Sequence, residues 1–120
     1  MRRFLLSAAL IVVASSTVHA TEALLFTGGG YNIQIMVGYE DDPVVAQVFF
    51  TPPRAKDWVV IPREGLQIEK FDMEKRILNM QFTNKNNPDL PASFSLSVKN
   101  AKAVLSIGSK EIKSEFNWDI

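Results

Sequence analysis

The sequence predicts an all-β fold: a single small antiparallel β-sandwich or barrel of about eight strands, largely a meander, behind a cleaved N-terminal signal peptide. Three observations carry this. Apolar residues recur mostly at every second position, the period of a strand with one buried face. No stretch after the leader shows a long helical pattern. Turn-forming residues interrupt the chain at short, regular intervals, as in sandwiches and small barrels.

The first twenty residues read as the signal peptide. Met1-Arg2-Arg3 supplies positive charge, Phe4 to Ala14 is an apolar run with one Ser, and Ser15-Ser16-Thr17 is polar. Val18-His19-Ala20 then sets apolar or small residues at −3 and −1 of a cut after Ala20, the layout of a secretory leader. The apolar run is too short for a membrane-spanning helix, which needs roughly twenty residues. Phe4-Leu5-Leu6 fits a twin-arginine signal poorly, and the chain has no cysteine to carry a lipid. The predicted domains are therefore residues 1–20, removed, and 21–120, a single all-β domain in the periplasm or secreted, with no stable membrane anchor.

Each strand follows from its alternation. Leu24 to Phe26 precedes Gly28-Gly29-Gly30, a turn; Ile33, Ile35 and Val37 then alternate with Asn32, Gln34 and Met36. Glu40-Asp41-Asp42-Pro43 ends that strand. Leu66 to Phe71 and Arg76 to Phe82 form a hairpin closed by Asp72 to Lys75. Asn84 to Pro91 is a polar loop. Phe94, Leu96 and Val98 alternate with Ser93, Ser95 and Ser97, the cleanest stretch of all. Asn100 and Gly108-Ser109 mark two further reversals. Ile112, Phe116, Trp118 and Ile120 alternate with Lys113, Glu115, Asn117 and Asp119. Polar residues at every second position give a wet face, which favours antiparallel pairing. The connections are too short for crossover helices. Val44 to Phe50 and Trp58 to Ile61 differ, because they are almost continuously apolar. Such strands are either covered on both faces or present an apolar patch to a partner.

Composition excludes several functions. The cut after Ala20 removes His19, the only histidine, and there is no cysteine. A Ser–His or Cys–His nucleophile cannot then be built, and the usual zinc and copper ligands are missing. The remaining acids fall at turns and on wet strand faces, which does not suggest a glycosidase pair. Without Arg2 and Arg3, the 13 Lys and Arg become 11 against 13 Asp and Glu, a net charge of −2. That gives nucleic-acid binding no electrostatic support. Glu40-Asp41-Asp42 lacks the alternating ligand spacing and glycine of a calcium loop. Gly28-Gly29-Gly30 leads into a strand, where a phosphate cradle would open a helix. The expectation is a protein with no catalytic residues, no metal and no cofactor.

One segment has the chemistry of a binding loop: Pro52, Pro53, Arg54, Lys56 and Trp58. Two prolines restrict the loop and reduce the entropy lost on binding. Arg and Trp are enriched at interaction hot spots. In the competing reading, Trp58 packs in the core while Arg54 and Lys56 are merely solvated. The functional expectation is an exported binding protein whose partner is another protein of the cell envelope, in an inhibitor- or immunity-like role. One alternative is a carrier holding a small apolar ligand inside a β-barrel. Another is a structural subunit joined by edge-strand pairing. The residues leave the oligomeric state open.

Overall fold

Nine β-strands form one antiparallel sheet in the computed structural model, which describes residues 20–119. They are β1 (Ala20–Gly28), β2 (Tyr31–Tyr39), β3 (Pro43–Thr51), β4 (Val59–Val60), β5 (Leu66–Asp72), β6 (Ile77–Thr83), β7 (Ser93–Lys99), β8 (Lys102–Ile107) and β9 (Lys110–Asn117). Among the described residues there is no α-helix, and one 3₁₀ turn covers Arg63–Gly65. Residues 1–19, which hold nearly all of the predicted leader, lie outside the described residues, as does Ile120. The described residues hold nine strands where about eight were expected, and of the Trp58–Ile61 run only Val59 and Val60 form a strand, β4.

The sheet order is β4-β3-β2-β1-β9-β8-β7-β6-β5. Two meanders are thus joined through the first and last strands, where Leu25 pairs with Asn117 and Phe26 with Phe116. The Ser114 hydroxyl reinforces this joint by donating to the Thr27 carbonyl at 2.5 Å. The sheet curls into a half-barrel, so that of the expected sandwich or barrel it is the barrel that is met in part. Strand direction explains why it stays open. Every neighbouring pair is antiparallel, so β4 and β5 at the two edges point the same way. The chain passes from one edge to the other through a bend, without the reversal that would let β4 and β5 pair as a hairpin.

Local chemistry builds that corner. Ile61 continues the β4 ladder by donating its N–H to the Val48 carbonyl at 2.9 Å. Pro62 has no N–H to continue it. The Arg63 guanidinium takes over, donating to the Ala46 carbonyl at 2.7 Å. Gly65 then passes so close to β6 that a Cβ there would lie 2.3 Å from the Thr83 carbonyl oxygen. No side chain fits that space.

The inner face is the core. Cross-strand registers place Met80, Leu96 and Leu105 in one row and Phe82, Phe94 and Ile107 in another. All six are buried. Phe50 of β3 stacks on Phe94 of β7, with centroids 5.2 Å apart and planes 16° apart. Tyr31 and Phe82 extend this aromatic chain at 5.8 and 5.5 Å. Trp118 closes the C-terminal end: its ring is buried against Phe116, and its indole N–H donates to the Asn100 carbonyl at 2.5 Å. Among the described residues no polar or charged side chain is buried.

Two outcomes follow. Gly65→Ala should lower stability by about 1–3 kcal/mol, the usual cost of forcing extra atoms into a packed site. It is read as a lower denaturant midpoint at unchanged m-value; an unchanged midpoint would mean that the Thr83 carbonyl yields freely. Phe50→Ala and Phe94→Ala should each cost about 3–5 kcal/mol. Their double mutant should fall short of the sum by at least about 0.5 kcal/mol, because the rings touch. Strict additivity would show that the stack carries no coupling.

Candidate functional site

The nearly continuous apolar run of β3 is explained by a β-bulge. Met36 pairs with Gln47 and Val37 with Val45, leaving Ala46 as the extra residue on β3. A bulge shifts the phase of alternation by one. Val45, Val48 and Phe50 therefore all face inward and are buried, although their spacing is not strictly two. Phe49 and Gln47 face outward. The carbonyl that accepts the Arg63 hydrogen bond belongs to this bulged residue, Ala46.

On the outer face, the registers align Val60, Phe49, Gln34 and Leu25 in one cross-strand row. Gln47, Met36 and Ala23 form the next. None of these positions carries a charge. Trp58 lies over the first row, its ring 5.1 Å from that of Phe49 and inclined by 48°. Trp58 is 60% exposed and Val60 43%. The reading in which Trp58 packs in the core is thereby corrected: the ring is on the outside, where β4 leaves Phe49 half-covered.

The other half of the same sheet is different. There the outward rows read Gln67, Gln81, Ser95, Ser106, Glu111 and Lys70, Asn79, Ser97, Val104, Lys113. Ser97 donates to the Asn79 side chain at 2.9 Å. This is an ordinary wet sheet face. The outer face is thus polar and charged on one half and, in these rows, uncharged on the other, with Gln34 and Gln47 set among apolar side chains. Depletion of charge around aromatic residues and Met is what marks the centre of an interface.

The predicted binding residues border the uncharged half. Pro52 is half-buried, and Pro53, Arg54, Lys56 and Trp58 are exposed. The loop is tightened by the Ala55 N–H donating to the Pro52 carbonyl at 3.2 Å. Arg54 has a φ of 70°, a left-handed conformation that costs a non-glycine residue about 1–2 kcal/mol. Such strain in an exposed loop is held by its surroundings. Here the support includes the β1–β2 turn: Gly30 has a φ of 85°, and a Cβ on it would meet Pro53 at 3.1 Å. The structure thus brings Trp58 onto Phe49 and leaves Arg54 and Lys56 at the rim. Alternation sets Gln34 and Met36 on the outward face, but not Leu25, and nothing in the sequence puts any of the three beside Trp58. Met36 was legible as an apolar residue at a position whose neighbours Asn32 and Gln34 mark a wet face. Leu25 was hidden between two inward residues. No protein-family model matches this chain, and neither a curated protein nor a solved structure matches it.

Proposed function

We propose that the chain is a non-catalytic exported binding protein that docks another protein of the cell envelope in an inhibitor- or immunity-like role. The observation that carries this reading is the uncharged outer face of β1–β4, with Trp58 60% exposed at its margin. An aromatic side chain set at the edge of an uncharged, mostly apolar patch and flanked by Arg54 and Lys56 has the composition of a hot spot with a polar rim. The inner face favours this reading over a ligand carrier, because Phe50 and Phe94 stack where a carrier would leave room for cargo. The sheet edges favour it over assembly by strand pairing. β4 is two residues long, and β5 carries a bulge at Glu69 followed by Lys70, devices that blunt edge pairing.

Two measurements test the reading. Immobilised wild-type protein should capture a specific partner from an envelope extract, and Trp58→Ala should weaken that capture by tenfold or more, as expected for truncating a hot spot worth about 2 kcal/mol. Capture that Trp58→Ala leaves unchanged would move the interface elsewhere. The intact mass of the exported protein should correspond to residues 21–120; retention of His19 would return an imidazole to the chain and reopen the question of catalysis.

A further inference from the structure

The same face has a second property. It is bracketed by opposite charges at the two ends of β3. At the N-terminal end, Glu40, Asp41 and Asp42 form the exposed β2–β3 turn. At the C-terminal end, Arg54 and Lys56 are exposed in the loop, with Asp57 leaving that loop net positive. β3 has nine residues, so the two ends are about 30 Å apart. The uncharged rows lie between them.

We infer that this face associates with a second copy of the chain, face to face and with β3 strands antiparallel, when no other partner covers it. The inference rests on the docking face proposed above and names a further occupant for it. A two-fold axis in the plane of the face, perpendicular to the strands, makes a surface meet itself end over end. The acidic turn of each copy then lies over the basic loop of the other. An axis parallel to the strands would instead set acidic turn on acidic turn, which like-charge repulsion disfavours. Between the rims, the Phe49–Trp58 pair of one copy meets the uncharged row of the other. Sheets that pack face to face keep their strands roughly aligned, at about 30° or less, so both rims engage together. Three nine-residue strands about 4.8 Å apart and about 30 Å long, with the two-residue β4 beside them, give roughly 450 Å² in projection, below the ~800 Å² per partner of a standard interface. The dimer is therefore of the small, reversible kind. Dimerisation hides Trp58 and competes with capture of any other protein at this face.

The test is sedimentation equilibrium on the purified chain alone, from about 1 µM to 1 mM, at low and high salt. The wild type should show a monomer–dimer equilibrium that weakens as salt rises, because exposed rim charges are screened within about 10 Å at 0.1 M. Trp58→Ala should abolish dimerisation. Arg54→Glu with Lys56→Glu should weaken it by about tenfold or more, as should Asp41→Lys with Asp42→Lys. All four substitutions together should restore it to near the wild-type value, because the rims are complementary again with their signs exchanged. Circular dichroism on each variant checks that these exposed-turn changes leave the fold intact. A monomer throughout the concentration range overturns the inference, and so does dimerisation that ignores the charge reversals or that the fourfold exchange fails to restore. A dimer with no partner captured from extract leaves this inference standing and removes the docking function; a captured partner with a strictly monomeric protein does the reverse.

Discussion

A single β-sheet with one apolar face has nothing to bury that face against except itself. There is no α-helix among the described residues to cover it and no disulfide to staple it. Curling is the remaining solution, and the stack of Phe50 on Phe94 is where the two meanders meet across the interior. Everything else in the fold accommodates that closure. The terminal strands join at β1–β9, Trp118 plugs the C-terminal end, and the chain turns the corner from β4 to β5 without reversing.

The corner and the bulge are coupled. Once Pro62 interrupts the ladder, β3 loses its backbone partner on that side, and the carbonyl of bulged Ala46 would be left without a protein donor. Arg63 supplies one from its side chain. The bulge in turn decides which β3 residues face outward. It sends Val45, Val48 and Phe50 into the core and leaves Phe49 outside, beneath Trp58. The apolar outer patch is therefore a consequence of how the half-barrel is held at its open seam.

Much of the fold was legible in the sequence because its signals are local. Alternation in Phe94-Leu96-Val98 and in Leu78-Met80-Phe82 placed those side chains on the inner face, where they are buried. Gly28 to Gly30, Asp72 to Lys75 and Gly108-Ser109 marked reversals where the chain does reverse. The candidate site was less legible. Pro52 to Trp58 stood out by residue type, but whether Trp58 faced in or out depended on a strand only two residues long and on a phase shift one strand away. Alternation assumes a fixed period of two, and a bulge breaks that assumption without leaving an obvious residue signature. Ala46 is an unremarkable alanine in a valine-rich run.

The sequence by itself determined the all-β class, the positions of the turns, most of the inward-facing residues and the loop rich in Pro, Arg and Trp. These follow from side-chain period and turn chemistry, which act over a few residues. Tertiary structure decided the half-barrel closure, the pairing of the first strand with the last, the role of Arg63 and the outward exposure of Trp58. These depend on strand direction and register summed around the whole sheet, and on contacts between residues far apart in the chain. No local pattern encodes them, because they exist only once the inner face has closed on itself.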